Sequence, residues 1–305
     1  MSIDLKHKTG EVAADRKIAS LVMALERAFP GRGLSYHLLG SYAEGSPAPT
    51  SDLDLIVLFP GILDSEEAVL ANSVVSGLSA QPGPRLDVEM QGEASVNPIW
   101  AVSLSEVSVG IFGEPETEVS MPSIEAYAWA LIEEVCSLIR RLRPRLASVS
   151  FPVGYPDQEA PFFGYEQKPL LTADGTWVPS SKALAMVTGW GASAILAVRA
   201  GVFTPSRSML IASYRQHVGD RWLELLEQIE AECHIACNYL IPADGEGRRR
   251  LPEIAARVLE FENHTLAIFE PAIHVRLTSA YDSDRNAAMA LLDSITFPNS
   301  AVGKQ

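Results

Sequence analysis

The sequence predicts an α/β N-terminal domain, a mixed sheet with flanking helices, followed by an all-α helical-bundle C-terminal domain. Three observations carry that expectation. The chain has 305 residues, more than one compact core normally holds. Up to about residue 118, short apolar runs alternate with Gly/Pro-rich turns and helix-length patterns. From Ser123 onward, helical periodicity dominates. The expected domains are therefore 1–118 and 119–305.

Taken in order, residues 11–29 read as an amphipathic helix whose apolar stripe is Ile18, Leu21, Val22, Leu25 and Phe29. Pro30-Gly31-Arg32-Gly33 stops it. Residues 34–39 read as a strand running into Gly40-Ser41, and 42–50 as a turn or a very short helix. Residues 53–59, apolar except for Asp54, predict a buried strand ended by Pro60-Gly61. A helix over 64–79 follows, with Asp64 as its N-cap. Residues 85–91 alternate, with Leu86, Val88 and Met90 on one face and Asp87 and Glu89 on the other. Residues 96–112 read as extended, broken at Pro98. Further helices are predicted over 124–142, 182–200, 206–217, 221–239 and 251–269. Between them, residues 151–181 are rich in Pro, Gly and aromatic side chains without periodicity. That stretch reads either as a segment shaping a ligand pocket or as a packed connecting loop.

Composition narrows the function classes. Apolar residues make up 47% and charged residues 20%, as in ordinary globular proteins. No segment suggests the uninterrupted apolar length of a membrane span, and the polar first eight residues lack a signal-peptide core. The expected location is cytoplasmic. The net charge of −14 disfavours nonspecific nucleic-acid binding and suits a small cationic partner, although simple solubility explains it equally well. Cys136, Cys233 and Cys237 cannot all pair within one chain and are expected to be buried free thiols. Arg140, Arg141, Arg143, Arg145 and the run Arg248-Arg249-Arg250 are expected to be solvated helix ends.

The chemistry concentrates at Leu39-Gly40-Ser41 and Ser51-Asp52-Leu53-Asp54. Asp52 and Asp54 are two apart on a strand, so their side chains project to one side, and Asp87 and Glu89 do the same. If the two strands are neighbours, these acids converge beside Gly40-Ser41. Carboxylates so placed repel one another unless a cation lies between them, and oxygen ligands without His or Cys favour Mg²⁺. Gly40 permits close backbone approach to a phosphate, and Ser41 supplies an N–H and a hydroxyl; Ser51 is a second candidate contact. An isolated Asp-x-Asp is also compatible with strand-end caps facing solvent. No Walker-type loop or Gly-x-Gly-x-x-Gly is present.

The run Leu39-Gly40-Ser41…Ser51-Asp52-Leu53-Asp54 resembles the signature of the polymerase-β type nucleotidyltransferase superfamily. Arg85-Leu86-Asp87-Val88, Val96-Asn97-Pro98-Ile99-Trp100, Ala200 to Arg207 and Tyr239-Leu240 resemble segments of the streptomycin/spectinomycin adenylyltransferases. The resemblance implies Mg²⁺-dependent transfer of a nucleoside monophosphate, AMP from ATP, to a hydroxyl of an aminoglycoside-like cationic acceptor, and with it antibiotic resistance. Asp52, Asp54 and Asp87 would bind metal, two ions in all. Asp87, in place of the family's Glu, would be the catalytic base, with Glu89 as competitor. Gly40, Ser41, Ser51, Arg207 (where the family has Lys) and Tyr239 would bind the nucleotide. Two other readings stay open at this point: a nucleotidyltransferase of a toxin–antitoxin or stress system acting on tRNA or protein, and a non-catalytic nucleotide-binding module.

Overall fold

The computed structural model describes residues 3–81, 83–146, 148–172 and 175–297. The chain divides into two compact units. One comprises Met1–Ser123, Leu171–Trp177 and Pro205–Arg207; the other comprises Ile124–Leu170, Val178–Thr204 and Ser208–Gln305. Two later segments thus group with the N-terminal unit, where the sequence suggested a single cut.

In the first unit, helix α1 (Val12–Ala28) buries Ile18, Leu21, Val22 and Leu25. Strands β1 (Ser35–Leu38), β2 (Leu53–Phe59), β3 (Leu86–Gly92) and β4 (Val109–Phe112) form one sheet in the order β3-β2-β1-β4. β1 runs antiparallel to β2 and β4, whereas β2 and β3 are parallel, so the sheet is mixed. The parallel pair requires a crossover, and helix α3 (Ser65–Ser79) supplies it. Asp64 caps α3 as the periodicity predicts. Its side chain accepts from the backbone N–H groups of Glu66 and Glu67, while the Glu67 carboxylate accepts from the backbone N–H of Asp64.

The two faces of this sheet differ. Leu53, Leu55, Val57, Phe59 and Leu86 pack with the α1 stripe in one core, where Phe29 meets Phe59 edge-on at 5.1 Å. On the other face Leu39, Ile56 and Leu58 form a small cluster, against Val96, Trp100 and Leu104. The last two belong to helix α4 (Pro98–Glu106), which corrects the expectation of an extended segment over 96–112. Pro98 does not break a strand; it occupies the first turn of a helix, where its missing N–H costs nothing. Asn97 caps that helix by accepting from the Ile99 N–H at 2.9 Å. Between β1 and β2 lies the single turn α2 (Gly40–Ala43).

The second unit is mostly helical. It contains α5 (Ile124–Arg141), α6 (Lys182–Ala200), α7 (Arg207–His217, after its first residue), α8 (Leu223–Gln228), α9 (Gly245–Leu277) and α10 (Asp282–Ser294). Short strands β5 (Val149–Ser150) and β8 (Ile295–Thr296) pair in parallel within this unit; β6 (Leu170–Leu171) lies beside β7 (Trp177–Val178), and the stretch Leu171–Trp177 groups with the first unit. α8 continues into π-helical turns over Ile229–Ile235, so the predicted helix 221–239 is shorter and irregular at its end. α9 outruns its predicted span of 251–269 because Pro252 and Pro271 do not stop it. Each proline costs one backbone bond and about 3 kcal/mol, offset here by a buried stripe through Ile254, Val258, Phe261, Leu266, Phe269 and Ile273.

α6 is long and apolar enough to cross a membrane by length and composition, contrary to the expectation that no segment is, and about two thirds of it is buried inside the protein. Gly191 lets α9 approach closely: a Cβ there would lie 2.8 Å from Cε1 of Phe261. Residues 151–170 behave as a packed loop. Val153 exchanges hydrogen bonds with the Asn263 side chain, and Phe162 and Tyr165 are buried.

Arg143 departs from the reading of the arginine clusters as solvated helix ends, whereas Arg141, Arg145, Arg248, Arg249 and Arg250 are exposed. Arg143 is 1% exposed, and its guanidinium donates to Glu262 at 2.6 Å and to the carbonyl of Gly154 at 2.7 Å. Tyr165 donates its hydroxyl to the same carboxylate at 2.9 Å. Cys136 and Cys233 are buried as expected, Cys237 is half-buried, and none of the three forms a disulfide.

Candidate active site

Strand directions explain why the candidate residues of the first unit meet. β1 ends where β2 begins, because the two are antiparallel, and β3 begins there too, because it is parallel to β2. The end of β1 therefore delivers Gly40-Ser41, the start of β2 delivers Asp52 and Asp54, and the start of β3 delivers Asp87, all at one edge of the sheet. The register pairs Asp54 with Asp87 directly. Neighbouring strands lie about 4.8 Å apart, so these like charges stand side by side on the face away from α1.

Gly40 is fitted to Asp54. Its φ of +62° lies in the left-handed region that glycine tolerates, and a Cβ there would sit 3.2 Å from Cγ of Asp54 and against its Oδ2. The neighbouring Leu39 N–H donates to the Asp54 carbonyl at 2.9 Å, locking turn and strand together. Ser41 donates its hydroxyl to that of Ser51 at 3.0 Å, and Ser51 Oγ accepts the Ala48 N–H at 2.9 Å. The two serines thus close the loop that carries the first aspartate.

Asp52 is buried to 9% exposure just before β2, while Asp54 is half-buried and Asp87 exposed. Beneath this edge, the buried Tyr42 donates its hydroxyl to Glu11 at 3.3 Å. Burial, then the Glu11 and Asp52 charges, push the Tyr42 phenol up to about 12, so it remains a donor at neutral pH. Glu89 pairs with Ile56 rather than with an aspartate. It is displaced two residues, about 6–7 Å, along β3 from Asp87.

The donor set is all oxygen, which matches a hard cation in kind. Among the described residues, however, no three His, Cys, Asp or Glu side chains are drawn close enough to form a metal cluster. The structure provides a shared edge and a paired register, not a closed cage.

The remaining candidates separate. Arg207 groups with the first unit, in the short Pro205–Arg207 segment, rather than with the helical unit that the sequence assigned it to. Pro205 accepts from the Ser103 hydroxyl of α4 at 3.4 Å, which places that segment beside the helix covering the sheet's second face. Tyr239 belongs to the second unit and follows the π-helical turns instead of ending a helix. It has φ +62°, stacks on His234 at 4.8 Å, and accepts the Ser181 N–H at its carbonyl.

Sequence reasoning gave neither Arg85 nor Trp177 a role in the site. Arg85, just before β3, lies two residues from Asp87, and its guanidinium stands over the Trp177 ring, 5.9 Å from the centroid. Trp177 is 53% exposed and groups with the first unit. The period-two alternation of β3 could have flagged Arg85, but nothing local could have flagged Trp177.

No curated protein matches the chain. Residues 18–88, which run from α1 into β3 and include Gly40, Ser41, Ser51, Asp52, Asp54 and Asp87, match the family model of the nucleotidyltransferase domain, and the N-terminal part of this protein is a nucleotidyltransferase domain.

Proposed function

We propose that the protein transfers a nucleoside monophosphate, AMP from ATP, to a hydroxyl group of a small cationic acceptor of aminoglycoside type. The observation that carries this reading is the register of Asp54 against Asp87 beside Gly40, inside the matched domain. Two acids held abreast with no gain in packing suit a site that receives positive charge. Asp52, Asp54 and Asp87 are the residues that would hold Mg²⁺. When bound, that ion offsets the charge of the triphosphate and of the departing pyrophosphate.

The protein's own groups account for the rest. Gly40 lets the backbone approach the phosphates without a side chain intervening, and Ser41 and Ser51 offer hydroxyl donors there. Arg207 contributes a fixed positive charge to the same unit. Asp87, the more exposed of the register pair, accepts the proton of the acceptor hydroxyl. The hydroxyl oxygen bonds to the α-phosphorus while the bond to pyrophosphate breaks. Alignment of the two reactants and stabilisation of developing charge supply most of the acceleration. The protein's net charge of −14 favours approach of a polycation.

The test is incubation with ATP, Mg²⁺ and a panel of aminocyclitols, reading pyrophosphate release and the mass of the acceptor. A gain of one AMP on a single acceptor, abolished in the Asp52→Ala/Asp54→Ala double variant, is the expected result. No pyrophosphate from any pair, or full turnover by the double variant, would overturn the proposal.

A further inference from the structure

The acidic edge has a flank of opposite character. Arg85 precedes β3, and its carbonyl accepts the Leu53 N–H at 2.7 Å, which fixes its backbone between the positions of Asp52 and Asp54. The pleat places Arg85 on the same side as Asp87. Its guanidinium lies over the indole of Trp177, yet Trp177 remains more than half exposed. An exposed tryptophan is costly to leave in water. This one opens β7, and the backbone just before it is held: Thr172 N–H and Oγ1 both donate to the Thr176 carbonyl, and Gly175 N–H donates to the Thr172 carbonyl.

We propose that Arg85 and Trp177 form the nucleotide-selecting flank of this site, with the Trp177 indole stacking on the nucleobase and the Arg85 guanidinium pairing with phosphate oxygens. Charge decides between donor and acceptor. A polycationic acceptor is drawn to the aspartates and repelled by Arg85, whereas a nucleoside triphosphate offers an aromatic plane to Trp177 and anionic oxygens to Arg85. Guanidinium groups match phosphate geometry with two parallel hydrogen bonds, and indole faces stack on any base. The inference rests on the nucleotidyl-transfer reading above and adds which side of the site holds the donor.

Calorimetry on the whole chain with three separate probes, ATP, adenosine and tripolyphosphate, tests it, with thermal melts confirming that each variant is folded. Trp177→Ala is expected to weaken ATP and adenosine by about tenfold or more and to leave tripolyphosphate unchanged, while Trp177→Phe restores most of the loss. Arg85→Ala is expected to weaken ATP and tripolyphosphate about tenfold and to leave adenosine unchanged. In turnover assays the change should fall on the KM for ATP, with the KM for the acceptor unmoved. Equal nucleotide affinity in wild type and both variants, or a rise confined to the acceptor KM, overturns this assignment alone. Failure of the wild type to bind any nucleotide overturns it together with the reading beneath it.

Discussion

The two units treat carboxylates in opposite ways. In the second, Glu262 is fully buried and surrounded by donors: the Arg143 guanidinium, itself holding the Ile139 and Gly154 carbonyls, and the Tyr165 hydroxyl. Burial pushes the Glu262 carboxyl up while Arg143 and Tyr165 pull against it, and the surrounding N–H and O–H groups are satisfied by a carboxylate. In the first unit, acid faces acid in the Asp54–Asp87 register at a sheet edge. Such a pairing destabilises the fold by itself. One arrangement brings opposite charges together in the interior; the other sets like charges abreast where two strands begin.

The largest test of that contrast is Glu262→Leu. It strands the Arg143 charge in an apolar interior and should cost about 3–5 kcal/mol in urea unfolding. The double variant Arg143→Met/Glu262→Leu should recover most of the loss, since it removes both charges. A single substitution that costs less than 1 kcal/mol would end the claim that this pair is structural.

Asp54→Asn should do the reverse. We expect a loss of about 10²–10³ in kcat for nucleotidyl transfer, with a melting temperature unchanged or raised because one of two like charges is gone. A marked drop in stability with activity intact would erase the distinction between the units.

Gly40→Ala combines both kinds of effect. The methyl group meets the Asp54 carboxylate at a positive φ, so we expect about 1–3 kcal/mol of destabilisation and a loss of activity. Gly40→Ala with wild-type turnover would show that this approach is incidental.

A smaller effect sharpens the comparison through pH. Burial, then Arg199, lowers the pKa of His264 below its ordinary 6.5, against the pull of Asp220. The unfolded chain then binds the proton more readily than the folded one. The His264 contribution is therefore present above pH 6.5 and fades as pH falls toward the lowered value. The melting temperature should decline through that window, and His264→Gln should flatten the decline without touching the acid edge of the first unit.

Much of the first unit was legible because its signals are local. The apolar 53–59 run, the alternation over 85–91 and the Asp64 cap each arise from neighbours in sequence, and all three appear within a residue of where they were expected. What escaped depends on distant partners or on context. Arg143 looked solvated because its partner lies 119 residues away. Pro98 looked like a break because only the Asn97 cap shows that a helix begins there. Helix α10 went unmarked: its polar sequence buries only Ala288 and Leu291. In the candidate site, Gly40, Ser41 and the aspartates were named from spacing. The choice between Asp87 and Glu89 as the neighbour of Asp54 needed the register, which no spacing within one strand contains.

The parallel pairing of β2 with β3 has one more consequence. Most of the stretch between Phe59 and Arg85 is return path: it brings the chain back to the starting edge and supplies none of the candidate site residues. Its length is free to drift so long as both strand starts stay abreast, because loop closure grows only slowly with length. The exposed turn at Gly61-Ile62, ahead of α3, is therefore a place where insertions, tags or grafted segments can enter this domain while α3 keeps its packing and Arg85 its position.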